Sequence, residues 1–259
     1  MRIRDRLVEL LNPLIYRDGI ALVPGRLHGQ WPERQALRRL LARLRIDCVL
    51  DVGANVGQFG LELRALGYSG TILSFEPNPD CFRILKEIAS RDGNWAAHQI
   101  ALGSSPARLP LNIMRSSDFS SFLRPGGETD VYYPEANFVT HTVEVEVETL
   151  NNIFSSLVGS RFFLKMDTQG FDLEVFRGAS QVLRHIHGLQ SEVSMKHLYD
   201  RTPPWHEVIQ EYRHSGFGLT AMYPVHPEVH DEVLEFNCHF QNLGRNNEGG
   251  EGALVATAV

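Results

Sequence analysis

At 259 residues, with 43% hydrophobic and 22% charged side chains, the chain has the make-up of a soluble globular protein with enough material for one sizeable core. Its formal net charge of −6 argues against a broadly electrostatic nucleic-acid partner, leaving room only for a local basic patch. No run of about 18 apolar residues is present to span a bilayer, and the N-terminus lacks a secretory apolar core. The three cysteines, Cys48, Cys81 and Cys238, are far apart and form neither a CxxC pair nor a disulfide framework, which points to a reducing, cytoplasmic compartment.

Residues 3–12 space Ile3, Leu7, Leu10 and Leu11 on one helical face, and Asn12-Pro13 ends that segment. A plain amphipathic helix is the expectation there, with membrane or partner contact the lesser alternative. Residues 16–31 read as a loop, with Gly19, Pro24, Gly25 and Gly29. Pro32 opens a helix whose inner face is Leu37, Leu40, Leu41 and Leu44. The arginines Arg34, Arg38, Arg39, Arg43 and Arg45 are read as its solvated side. An apolar run from Ile46 to Val52 then breaks at Gly53 and restarts in helical spacing, which predicts a buried strand, a tight turn and a helix to about Leu66. Gly70–Phe75 is a second strand, residues 78–90 a helix and Trp95–Leu102 a third strand. This alternation implies right-handed crossovers and a parallel sheet.

The middle changes character. Residues 107–113 and 141–147 alternate like strands and suit an antiparallel ribbon at a sheet edge. Between them, residues 116–139 form a long polar insertion carrying Phe119, Phe122, Tyr132, Tyr133 and Phe138, which suits a lid or binding loop. A short helix over 149–154 leads to a fourth strand, Arg161–Met166, then a helix ending at Gly178 and a fifth strand, Gly188–Ser194. A helix over 204–214 has Trp205, Val208, Ile209 and Tyr212 inward. A final hairpin over 217–222 and 233–240 completes the core. The expected division is a helical extension over 1–45, a main domain over 46–243 and a flexible tail over 244–259.

The candidate site begins at the first turn. Asp51 ends the first strand, Gly53-Ala54-Asn55-Val56-Gly57 follows, and Glu76 ends the second strand, 19 residues beyond Gly57. A glycine turn, a helix N-terminus and an acid after the second strand are the parts of a nucleoside site in a Rossmann-like crevice. Asn55 takes the second glycine position of G-x-G-x-x-G, where its side chain hinders a pyrophosphate but not a cofactor without phosphate, such as S-adenosylmethionine.

The segments 49–57, Phe75-Glu76-Pro77-Asn78-Pro79 and 164–179 (LKMDTQGFDLEVFRGA) together resemble the FkbM family of S-adenosylmethionine-dependent methyltransferases, over about residues 46–195. The resemblance implies an α/β fold with a Rossmann-like seven-stranded sheet in the order 3-2-1-4-5-7-6, its last strand antiparallel. It also implies O-methylation of a sugar or polyketide-type hydroxyl. Carried over by position, Asp51, Gly53, Ala54, Asn55 and Gly57 meet the methionine moiety. Glu76 and Pro77 hold the ribose, and Ala101 and Leu102 flank the adenine. Ser120-Ser121-Phe122 fits a serine-rich element before the substrate region.

Asp167 and Glu192 close the fourth and fifth strands, where an acceptor lies in a doubly wound sheet. They are candidates for a general base or, with water, for Mg²⁺ ligands. His197, just beyond, is a further proton acceptor candidate, weighed against a plain loop histidine. Lys165 is an ion partner for Asp167, and Asp172 a capping or surface residue. A small-molecule or glycan acceptor is the expected partner, with a homo-oligomer open. A nicotinamide-dependent oxidoreductase and a non-catalytic adenosyl-cofactor module are the competing readings.

Overall fold

A computed structural model describes residues 31–134, 138–157, 159–225 and 232–245. The N-terminal helix expected over 3–12, most of the tail, and His226 and His230 lie outside them. Helix α1 (Trp31–Arg43) precedes β1 (Cys48–Val52), α2 (Gln58–Ala65), β2 (Thr71–Phe75), α3 (Pro79–Ala89) and β3 (Trp95–His98). β1 and β2 are short and nearly all buried, as parallel strands covered on both faces must be, whereas β3, at the edge of the sheet, buries only Trp95. Asn78 caps α3 by accepting from the Asp80 N–H at 3.0 Å, with Pro79 at the first helical position.

The chain then leaves the sheet. The expected third strand divides: β4 (Ala101–Leu102) turns away and pairs with β6 (Val139–Glu148), which pairs antiparallel with β5 (Ala107–Met114). These strands make a separate three-stranded sheet with its own small core of Leu111, Ile113, Val145 and Val147, not an edge of the main one. Between β5 and β6 lie a 3₁₀ turn (Ser117–Phe119) and α4 (Gly127–Tyr132). After α5 (Leu150–Ile153) come β7 (Phe162–Met166), α6 (Asp172–Arg177), β8 (Ile186–Ser194), α7 (Trp205–His214), β9 (Phe217–Pro224) and β10 (Glu235–Asn242).

The main sheet has seven strands in the order β3-β2-β1-β7-β8-β10-β9, with β10 antiparallel to both neighbours. Counting only these seven, the order is the expected one. The chain-order numbers differ because β4, β5 and β6 fall between the third and fourth sheet strands. Alternation splits the core. Leu50, Val52, Leu164 and Met166 face α6 and α7, whereas Val49 and Phe163 face the leucines of α1 and the helices α2 and α3. Trp205, expected inward, is 39% exposed at the start of α7; Val208 and Tyr212 are the residues that anchor that helix.

Candidate active site

A cavity of about 460 Å³ opens over the carboxyl ends of β1, β2, β7 and β8, roofed by the loop after β5 and by the start of α1. That volume suits a small-molecule site. Its floor begins at the turn after β1, where Gly53 (φ 73°), Asn55 (φ 47°) and Gly57 (φ 93°) all adopt left-handed angles. A Cβ on Gly53 would sit 1.9 Å from the main-chain oxygen of Asp167. The space beside this glycine is therefore filled by the chain leaving β7, not by a ligand, and the glycine permits the two strand ends to meet. Gly57 abuts Leu85 and Trp95 and lies outside the cavity lining, while Gly53, Ala54 and Asn55 belong to it.

Glu76 is 7% exposed. Its Oε2 accepts from the Asn55 N–H at 2.7 Å and its Oε1 from the Asn78 N–H at 2.8 Å, so both oxygens are fixed and each retains a lone pair for another donor. Burial pushes this carboxyl up to about 7, with the two N–H bonds and Lys165 offsetting part of the effect. Phe75, Pro77, Ala101 and Leu102 form an apolar shelf beside it. A cis-diol donating to Glu76 favours the carboxylate, so binding of S-adenosylhomocysteine should weaken as pH falls through about 7. Calorimetry between pH 7.5 and 5.5 should show a loss of roughly tenfold; a flat profile would count against Glu76 as the diol acceptor.

Asp51 does not point into the cavity. It is fully buried one layer below, accepting from Ser74 Oγ at 2.9 Å and pairing with Lys165 Nζ at 3.1 Å. The register explains this: Ser74, Asp51, Lys165, Gln190 and His239 are successive partners across five strands and share one face. Lys165 lines the cavity, reaching the Gly53 carbonyl at 3.1 Å and Asp167 Oδ2 at 3.5 Å. Burial opposes its charge, but Asp51 and Asp167 outweigh burial and hold the ammonium above its ordinary range.

The loop after β5 is latched onto the turn. Asp118 accepts from Asn55 Nδ2 and Gln58 Nε2, Ser117 Oγ donates to Asn55 Oδ1 at 3.2 Å, and Ser121 Oγ donates to the Gln169 carbonyl at 2.7 Å. The side chain of Asn55 is thus committed to holding the roof.

Asp167 and Glu192 both line the cavity, and the residue that joins them is Gln169. Its Nε2 donates to Asp167 Oδ1 at 3.0 Å and Glu192 Oε2 at 2.9 Å, while its Oε1 accepts from the Tyr199 hydroxyl at 2.7 Å. The Tyr199 bond sets which end of the amide faces the acids. Gln169 is held at φ 54°, a left-handed angle uncommon for a residue with a side chain. An amide donor therefore spans the two carboxylates for which Mg²⁺ binding was one of the two roles considered. Among the described residues, no group of three or more His, Cys, Asp or Glu is arranged to hold a metal. The donor set does not fit the ion, and Asp167 and Glu192 are better read as hydrogen-bonded acceptors.

His197 is displaced from the chemistry. It is exposed and outside the cavity lining, and its N–H donates to Glu128 Oε2 in a contact that fastens α4 to the chain after β8. Asp172 is buried, not at the surface: it accepts from the Thr168 N–H at 2.9 Å and Ser191 Oγ at 2.7 Å, tying the turn after β7 to β8. Arg34, expected on the solvated side of α1, turns inward to Glu62 at 2.8 Å and lines the cavity with Glu33.

Sequence reasoning did not single out Gln169, Asp118, Gln190 or Glu235. The signal for Glu235 lay in β10, where Phe236, Cys238 and Phe240 form one apolar face and the opposite face carries Glu235, Asn237 and His239 in a strand largely buried on both sides.

A family model described as the Methyltransferase FkbM domain matches residues 51–219. Methyltransferase 1 of Beauveria bassiana (strain ARSEF 2860) is 30% identical over 143 residues, covering 50% of this chain and 57% of that protein. Methyltransferase sdnD of Sordaria araneosa is 27% identical over 156 residues, covering 51% of this chain and 60% of that one. The match therefore spans somewhat over half the length of these relatives. Among solved structures, the METTL16 MTase domain aligns with a TM-score of 0.48 at 10% identity, over 90% of this chain and 79% of that one.

Proposed function

This chain belongs to the FkbM methyltransferase family, and from that premise we propose that it is an S-adenosylmethionine-dependent O-methyltransferase acting on a hydroxyl of a small polyhydroxylated acceptor, such as a sugar or a glycosylated or polyketide natural product. The observation that carries the reading is Glu76: a buried carboxylate with both oxygens fixed by N–H groups, on one side of a cavity whose other side presents Asp167 and Glu192.

Residues here suit each part of the cofactor. Glu76 accepts from a ribose diol, the shelf of Pro77, Ala101 and Leu102 covers an adenine, and the turn of Gly53, Ala54 and Asn55 lies under the methionine. Bound there, the cofactor supplies an electrophilic methyl group. The acceptor hydroxyl must then be aimed and relieved of its proton, and orientation accounts for much of such catalysis. Asp167 and Glu192, each fixed through one oxygen by Gln169, present carboxylate oxygens for that proton. Lys165 keeps Asp167 within 3.5 Å and stays charged between two acids.

Calorimetry with S-adenosylhomocysteine and NADH separates the readings: the first should bind at micromolar concentration and the second should not, and the reverse would overturn the proposal. Transfer of labelled methyl to a panel of glycosides then tests the acceptor. On the acceptor so found, Gln169→Glu should lower kcat by roughly 100-fold, because it sets a third carboxylate between two others, while the Kd for S-adenosylhomocysteine stays within about twofold. An unchanged kcat would remove Gln169 from the positioning of the acids.

A further inference from the structure

We propose that the end of the cavity over β8 and β10 is a subsite for a protonated amine, so that the methylated hydroxyl belongs to an amino sugar or a related amino alcohol; this rests on the methyltransferase reading above. Strands lie about 4.8 Å apart, and β10 is three strands from β1, so this end is roughly 14 Å across the sheet from the glycine turn. It lies on the opposite side of the turn from β2 and from the Ala101–Leu102 shelf, and is accordingly where an acceptor would lie.

Four side chains share that floor. Gln190 and Glu192 on β8, and Glu235 and Asn237 on β10, fall on one face by the pairings Asn237↔Glu192 and Glu235↔Ser194. Glu192 has Oε2 held by Gln169, and Glu235 has Oε1 held by Ser194 Oγ at 2.7 Å. Their second oxygens have no hydrogen bond or ion pair with any described residue. Among the described residues neither acid forms an ion pair: of the cations lining the cavity, Arg34 pairs with Glu62 at 2.8 Å and Lys165 with Asp51 at 3.1 Å, so that Lys165 acts on Glu192 only through space.

A separate observation points to a donor from outside. Gln190 is 5% exposed, lines the same cavity, and its amide oxygen has no hydrogen-bond partner. Leaving a buried acceptor unpartnered is unfavourable, and a ligand that donates to it removes that cost. The subsite thus offers two carboxylate oxygens and an amide oxygen and asks for donors; with Glu192 so used, Asp167 is the acid left to take the hydroxyl proton. A neutral hydroxyl brings one donor and no charge, whereas an ammonium brings three and the complementary charge. The ring pair of Phe119 and Tyr133, with centroids 4.8 Å apart, also lines the cavity, and aromatic faces favour cations. Burial first, and then the charges of Glu235, Asp167 and Asp172, push the Glu192 carboxyl well above its ordinary range, with Lys165 offsetting part of the effect; burial, with Asp167 and Asp172, pushes that of Glu235 up to about 7.

The test titrates the full chain, saturated with S-adenosylhomocysteine, with methyl glucosaminide, its N-acetyl derivative and methyl glucoside by calorimetry at neutral pH. The amine should bind at least about tenfold more tightly than either neutral glycoside, a ratio that needs no variant. Glu235→Gln should bring the three within about twofold of one another while leaving the Kd for S-adenosylhomocysteine unchanged, which also shows that the variant is folded. Equal affinities in the wild type, tighter neutral binding, or no amine binding at millimolar concentration would overturn the subsite while leaving the methyltransferase reading intact. Failure of S-adenosylhomocysteine to bind would overturn that reading and the subsite with it.

Discussion

Replacing Glu76 with alanine is expected to weaken binding of S-adenosylhomocysteine by roughly 100-fold or more, the largest effect of any single side chain on the cofactor. Hydrogen bonds to a charged group contribute about 1.5–3 kcal/mol each, and the diol supplies two. The carboxylate cannot be replaced by water without cost, since it is also the partner of the Asn55 and Asn78 N–H groups. Stability should respond far less than affinity. The folded carboxyl sits at about 7, above its ordinary 4.5, so the folded state disfavours its ionisation and loses stability as pH rises from about 4.5 to 7. Above that window, removing the acid relieves a penalty while orphaning two donors, and the two effects oppose. Calorimetry with the variant at pH 8, beside a melting curve, checks both parts. An affinity within about threefold of wild type would show that Glu76 does not hold the ribose.

Gly53→Ala should be the most damaging single methyl group in the chain. At φ 73° an alanine is strained whatever the space, and here its Cβ would overlap the Asp167 carbonyl oxygen at 1.9 Å. Backbone atoms at the meeting of β1 and β7 cannot swing aside as a flexible side chain can. Strain and overpacking together cost on the order of 2–6 kcal/mol, which at this size lowers Tm by roughly 10 °C. The displaced segment carries Asp167 and leads to Gln169, so methyl transfer should fall with stability even below the new Tm. A Tm within about 2 °C of wild type, by calorimetric scanning, would contradict the closeness of the two strand ends.

Much of this molecule is legible in one dimension. Buried parallel strands must be short apolar runs, and Cys48–Val52, Thr71–Phe75 and Phe162–Met166 stand out as such between helical patterns. Strand-end acids followed by a turn mark the crevice, so Glu76, Asp167 and Glu192 were found where the cavity is. The division of residues 95–102 into β3 and β4 was not legible, because both halves are extended and apolar and only their partners differ.

The same limit governs the site. The order of elements, the turn and the acids that close three strands follow from periodicity and local chemistry, and so can be read along the chain. What each polar group faces is set by the packed fold. It placed Asp51 beneath the floor on Lys165, filled the space beside Gly53 with the Asp167 carbonyl, and left His197 an exposed loop histidine, the second of its two readings. It also set Gln169 between two acids that are 25 residues apart in the chain, and brought Glu235 alongside them from the antiparallel strand. Those contacts depend on strand register and on a left-handed residue at 169. Alternation fixes which face of a strand is buried, but which residues of two distant strands stand opposite each other is read only once the strands are paired.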